Sequence, residues 1–154
     1  MNTIDVGKKP PQFTLMGTGG KWSPRDGAGG ACVIYFYPRD NTPGCTQEGA
    51  DFAEAYPQFK KANRKIFGIS ADSVETHEKF KRKMAFPFEL LSDPDKKVCE
   101  LYGVIQEKSM YGKKYMGIER STFLMDGKGL LRQVWRKVKV NGHAAGVLAA
   151  VKAL

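Results

Sequence analysis

Apolar positions along the chain fall into runs of two kinds. Ala31-Cys32-Val33-Ile34-Tyr35-Phe36-Tyr37 is continuous, rich in β-branched and aromatic residues, and closed by Pro38. It predicts a strand buried on both faces, the usual state of a central parallel strand. Lys65-Ile66-Phe67-Gly68-Ile69-Ser70 predicts a second buried strand, and Phe88–Leu91 a short third. Between these runs the spacing turns helical. Cys45 opens a helix to about Ala62 with Phe52, Ala53, Tyr56 and Phe59 on one side, and Pro57 is expected to kink or split it. Ser73 caps a polar helix that ends at Met84. Ser92-Asp93-Pro94 reads as a helix start with proline in the first turn, and Gly103 stops that helix after about Tyr102.

The flanking segments complete the pattern. Residues 1–11 read as an extended lead-in ending in Pro10-Pro11. Phe13–Met16 and Lys21–Ser23, joined across Gly17-Thr18-Gly19-Gly20, predict a small hairpin. Residues 106–118 are polar and dotted with glycine, which predicts a loop. Ser121–Met125 and Leu130–Val140 flank Asp126-Gly127-Lys128-Gly129, a strong hairpin signal. A final helix runs from about His143 to Leu154. Strands alternating with helices give a mostly parallel sheet covered on both faces, with an antiparallel edge hairpin. That order matches an α/β, thioredoxin-like fold in one domain spanning residues 1–154. A fold of this kind hosts many functions.

Composition narrows the field. The 154 residues are 42% hydrophobic and 27% charged, which excludes intrinsic disorder, and no repeat supports a solenoid. Lys and Arg total 25 against 16 acids, a formal charge of +9. The basic residues lie in three segments, at 60–65, 79–83 and 132–139, with acids between them. Solvated faces therefore account for them better than a nucleic-acid surface does. No apolar run is long enough for a secretory signal or a membrane span, so a cytoplasmic protein is expected. Cys32, Cys45 and Cys99 are an odd number without zinc-finger spacing, and free thiols are expected. His77 and His143 lack ligand-spaced companions and read as surface or capping residues. No metal and no cofactor is expected.

One constellation carries chemistry: Pro38-Arg39-Asp40-Asn41-Thr42-Pro43-Gly44-Cys45-Thr46-Gln47-Glu48. It lies between the C-terminal end of a buried strand and a helix N-terminus, the crevice position of ligand sites in open α/β sheets. Unpaired N–H groups and the positive helix end favour a thiolate there. Acidity alone does not give speed. Moving a thiol from a pKa of about 8.5 to about 6 raises its thiolate fraction roughly tenfold near neutrality. Intrinsic nucleophilicity falls by a similar factor. A fast reaction must come from oriented donors around the atoms under attack, with Thr42, the N–H groups near Gly44 and Cys45, and a distant arginine as candidates.

The spacing Pro38, Thr42, Cys45 within Tyr35-Phe36-Tyr37-Pro38 and Asp40 through Thr46 resembles the peroxiredoxins, in particular their bacterioferritin-comigratory (Q-type) branch. Met110-Tyr111-Gly112 and Gly117-Ile118-Glu119-Arg120-Ser121-Thr122-Phe123-Leu124 extend the similarity. The resemblance implies that Cys45 is the peroxidatic nucleophile, attacking hydrogen peroxide or an organic hydroperoxide and passing through a sulfenic acid. It implies that Thr42 hydrogen-bonds the peroxide, that Pro38 shields the sulfenate and that Arg120 polarises sulfur and oxygen. Pro38, Thr42, Gly44, Cys45 and Arg120 would bind substrate, with Glu48 anchoring an arginine. The resolving cysteine of many members falls here at Ala50, and that of others at Lys81. Cys99 is a weak substitute and Cys32 reads as core. The expected cycle is of one-cysteine type in a monomer, with an external thiol such as thioredoxin, glutaredoxin or a small thiol as reductant. The alternative is a monothiol disulfide-exchange protein of the same fold.

Overall fold

The computed structural model describes residues 4–24 and 31–154. The first three residues of the lead-in lie outside this range. Among the described residues the chain runs β1 (Leu15–Gly17), β2 (Gly20–Trp22), β3 (Ala31–Phe36), α1 (Pro43–Lys61), β4 (Arg64–Ser70), α2 (Val74–Met84) and β5 (Glu89–Ser92). It continues through α3 (Lys97–Leu101), β6 (Ile105–Met110), β7 (Lys113–Ile118), β8 (Ser121–Met125), β9 (Leu131–Trp135) and α4 (His143–Lys152). Seven strands form one sheet in the order β2-β1-β5-β4-β3-β8-β9, and β6 pairs with β7 in a separate ribbon. The pairs β3–β4 and β4–β5 are parallel. Antiparallel pairs flank them on both sides, β1–β5 on one and β3–β8 on the other.

Alternation along the central strands builds two cores. Val33, Tyr35, Tyr37, Ile66 and Leu90 face Phe52 and Phe59 of α1, Phe80 of α2, and Val147 and Val151 of α4. Cys32, Ile34, Phe36, Phe67, Ile69 and Leu91 face the other way, against Phe13 and against Val98, Cys99 and Tyr102 at α3. Period-two side-chain direction makes this partition strict, because neighbouring residues cannot share a face. At the centre, Tyr35 lies over Gly68, its registered partner, where a Cβ would come within 2.9 Å of the tyrosine ring.

Several local expectations change. Pro57 does not split α1, which is continuous from Pro43 to Lys61. The proline sits in the last turns on the exposed side, where its missing N–H falls opposite the Ala53 carbonyl, and both residues line a surface depression with Tyr56 and Lys60. The segment 106–118 is the β6–β7 ribbon and not a loop. The helix expected from Ser92-Asp93-Pro94 begins only at Lys97. Residues 93–96 form a turn closed by Lys96 N–H on Asp93 O at 3.0 Å, and the Asp93 carboxylate then accepts the N–H groups of Val98 and Cys99. Asp93 thus caps the helix from across a turn. The strand expected to reach Val140 ends at Trp135. Val138 N–H turns back to bond Arg120 O at 3.0 Å. His77 and His143, expected as surface or capping residues, are buried, His77 within α2 and His143 at the first position of α4.

Candidate active site

Tyr37 N–H donates to Ile69 O at 3.0 Å, so sheet pairing continues one residue beyond β3 before Pro38 ends it. The loop 38–42 then leads into α1, where Thr42 is the N-cap and Pro43 the first helical residue. Proline is favoured there because its fixed φ suits a helix and its missing N–H would have lacked a partner anyway. The first helical bond joins Thr46 N–H to Thr42 O at 2.8 Å. The N–H groups of Gly44 and Cys45 precede any i−4 acceptor and leave the helix end positive around the sulfur.

Cys45 is 2% exposed, with its Sγ 3.5 Å from Nη2 of Arg120. Arg120 sits between β7 and β8, its carbonyl accepting from Val138 N–H at 3.0 Å. Its Nη1 donates to Glu48 Oε1 at 2.6 Å. Glu48 lies three residues after Cys45, one turn along α1, so helical spacing puts sulfur and carboxylate on the same side. The guanidinium fork spans the two. Gly44 makes room for it, since a Cβ there would stand 3.0 Å from Arg120 Nη2. The peroxide reaction that the resemblance implies for Cys45 is expected to slow about tenfold in Gly44→Ala, with thermal stability unchanged or slightly raised, as stopped-flow and melting curves would record.

Electrostatics follow from burial. Desolvation pushes the Glu48 carboxyl up to about 7, against the opposing pull of Arg120. Burial works against the Arg120 charge too, but the acidic groups of Glu48 and Cys45 outweigh it and raise its pKa. His143 donates to or accepts from Thr122 Oγ1 at 2.7 Å, and burial followed by the nearby Arg120 pushes it down to about 4. Between pH 4.5 and 7 native Glu48 holds a proton that the unfolded chain releases, so its contribution to stability falls as pH rises. His143 acts in the opposite sense between about 4 and 6.5 and masks this in the wild type. Glu48→Gln removes one side of the balance. Its stability relative to wild type is expected to rise by about 3 kcal/mol from pH 4.5 to pH 8, measurable by denaturant titration.

The remaining candidates are placed as follows. Thr42 is half-buried and its Oγ1 donates to Arg39 O at 2.8 Å. Pro38 is half-buried at the strand end, and Arg39 points outward and is exposed. Ala50 is half-buried on α1, and Lys81 on α2 is paired with Glu89 at 2.9 Å. All three cysteines are free thiols. Cys45 packs in the core on the α1 side of the sheet, and Cys32 and Cys99 in the core on the opposite side. Burial pushes the Cys32 thiol up to about 12 and raises that of Cys99, with Asp93 adding to the latter. Among the described residues, Asp40, Asp72 and His77 bring ligand-type atoms within 4.8 Å of one another. Those atoms are already engaged in hydrogen bonds with each other and with Tyr37 and Ser70, so the cluster needs no ion to satisfy it. The sequence assigns Asp40 no role and reads His77 as a surface or capping residue. The available signal was His77 three residues before Phe80, on the same helix face.

Comparison with known proteins places this geometry. Residues 6–134 match the AhpC/TSA family. Peroxiredoxin Bcp of Xanthomonas campestris pv. campestris is 55% identical over 142 residues, covering 92% of this chain and 83% of that protein. Peroxiredoxin Bcp of Bacillus subtilis is 46% identical over 151 residues, covering 97% and 96%. A solved structure of the Xanthomonas campestris bacterioferritin comigratory protein, described in terms of alkyl peroxide reduction, superposes with a TM-score of 0.90 at 50% identity, covering 97% of this chain and 98% of that one. Among the described residues no helix is long and apolar enough to cross a membrane. With the family matched over most of its length and near-full-length relatives at this identity, the chain belongs to the AhpC/TSA family, as a peroxiredoxin of the bacterioferritin-comigratory branch.

Proposed function

We propose that this thiol-dependent peroxidase reduces hydrogen peroxide and organic hydroperoxides at Cys45 in a one-cysteine cycle completed by an external thiol. The observation that carries the reading is the single guanidinium anchored on buried Glu48 and aimed at Cys45 Sγ. A fixed cation there needs no reorganisation when charge moves from sulfur to oxygen. Thr42 complements it. Its one hydroxyl proton is committed to Arg39 O, which leaves its oxygen lone pairs to accept the O–H of an incoming hydroperoxide. Pro38 walls the pocket at the end of β3.

Attack by the Cys45 thiolate on the terminal peroxide oxygen forms an S–O bond and breaks the O–O bond. The sulfur loses two electrons, and the leaving oxygen takes a proton to depart as water or alcohol. The resulting sulfenic acid condenses with an external thiol, releasing water and forming a mixed disulfide. A second external thiol then frees Cys45. An outside reductant is supported by the sheet itself, which stands between Cys45 and both other thiols, and by Ala50 and Lys81 at the two positions where the resemblance places a resolving cysteine.

Anaerobic stopped-flow with one equivalent of peroxide, followed by dimedone trapping and mass spectrometry, tests the cycle. The expected product is a single dimedone adduct at Cys45, with no intramolecular disulfide and no fast phase in Cys45→Ser. A Cys45–Cys99 or Cys45–Cys32 bond as the main product would overturn the one-cysteine cycle. A peroxide rate no faster than that of a free thiolate would overturn the assignment of Cys45.

A further inference from the structure

The loop that carries Pro38 and Thr42 is tethered by a buried network with no part in the chemistry described so far. Asp40 is 5% exposed and His77 fully buried. Tyr37 donates its hydroxyl to Asp40 Oδ1 at 2.5 Å, and Asp40 Oδ2 lies 2.7 Å from His77 Nδ1. His77 Nε2 lies 2.9 Å from Leu91 O. A carbonyl only accepts, so Nε2 carries a proton and the imidazole is fixed in orientation. The backbone N–H of Asp40 donates to Asp72 Oδ2 at 2.9 Å, and that carboxylate is held by Ser70 Oγ at 2.6 Å. The next residue, Asn41, adopts a left-handed conformation with φ 63°, and Thr42 follows.

These contacts fix one end of the site independently of the other. Arg120 is positioned by Glu48 and by the segment after β9. Thr42 is positioned by a short loop whose interior anchor is Asp40, bound to α2 and β5 through His77. The distance between the Thr42 hydroxyl and the Arg120 guanidinium therefore depends on this tether. Reacting groups misplaced by about 1 Å lose rate by up to about a hundredfold. We propose that Asp40 and His77 are positioning residues for peroxide reduction, holding the loop so that Thr42 and Cys45 present one preformed pocket to the hydroperoxide. This deepens the assignment of Cys45 as the peroxidatic thiol and rests on it.

The test compares two reactions of the same sulfur. Peroxide needs Thr42 and Arg120 in register, whereas alkylation by iodoacetamide does not. Asp40→Ala is expected to lower the peroxide rate constant tenfold or more and the alkylation rate less than threefold, in protein that melts above the assay temperature. Asp40→Asn is expected to restore the peroxide rate to within threefold. Its carbonyl accepts from Tyr37 and its amide donates to Nδ1 of a neutral His77. A role in stability alone would lower the melting temperature and leave the ratio of the two rates unchanged, which would overturn the proposal. So would an asparagine variant as slow as the alanine one. If Asp40→Ala does not fold, Tyr37→Phe removes only the hydroxyl that binds Asp40 and lies 3.4 Å from His77 Nδ1. A ratio reduced by threefold or more supports the tether, and an unchanged ratio overturns it. Slow wild-type protein would instead sink the peroxidase assignment, a failure visible before any variant is made.

Discussion

Arg120→Ala should slow the reaction of Cys45 with hydrogen peroxide by about 10²–10³-fold, the usual cost of losing one oriented donor at a centre of developing charge. The guanidinium is a single group with two duties, touching Sγ through Nη2 and Glu48 through Nη1. Lysine cannot reproduce that fork, because its ammonium is a compact point charge without a planar pair of donors. Arg120→Lys is therefore expected to recover less than a tenth of the lost rate. Removing the arginine also strands Glu48 in the core, where its second oxygen already lacks a partner. Breaking a buried pair in this way costs about 3–5 kcal/mol when the remaining charge persists. The Glu48 carboxyl, already raised to about 7, escapes part of that cost by taking a proton. Adding Glu48→Gln to Arg120→Ala should restore stability without restoring rate. Stopped-flow and urea titration of the single and double variants separate the two effects, and a double variant as fast as wild type would contradict the role given to Arg120.

Thr42→Val should cost about a hundredfold in the same rate, by removing the acceptor for the peroxide O–H at nearly constant shape. Thr42→Ser should stay within threefold of wild type. Stability is expected to change by less than about 1 kcal/mol. Thr42 stands at the N-cap, but its side chain makes no capping bond, its hydroxyl being turned to Arg39 O. This is a local departure from helix logic. A threonine at an N-cap ordinarily accepts an N–H of the first turn, and here the hydroxyl donates to the loop carbonyl of Arg39 instead. Alkylation by iodoacetamide, which has no use for the hydroxyl, should be unchanged in both variants. A valine variant that keeps the wild-type peroxide rate would remove Thr42 from the mechanism.

Where periodicity and turn chemistry agreed, the chain was readable from its residues. The strand predicted from Ala31 to Tyr37 is β3, with Cys32 to Tyr37 buried on both faces of the sheet, Ser73 caps α2 through the Thr76 N–H, and the turn at Asp126–Gly129 joins β8 to β9. The ribbon β6–β7 was not readable, because its apolar residues Met110, Tyr111, Tyr115 and Met116 face solvent and give no alternation. Strand pairing there rests on backbone bonds, which leave no trace in side-chain pattern. At the site, the spacing of Pro38, Thr42 and Cys45 is local and visible. The approach of Arg120, 75 residues away, needed the resemblance. The Asp40–His77 pair is not legible in the sequence, because a polar pair buried by tertiary contacts looks there like two solvated residues.

The division of the thiols by the sheet has a kinetic consequence. In the one-cysteine cycle proposed above, an oxidised molecule would have no route home through its own chain. On that cycle, the time it spends as sulfenic acid would be set by encounters with sulfur from outside, in competition with a further molecule of oxidant. Throughput at steady state should climb in proportion to the surrounding thiol pool, and the fraction of protein held oxidised becomes a gauge of how depleted that pool is.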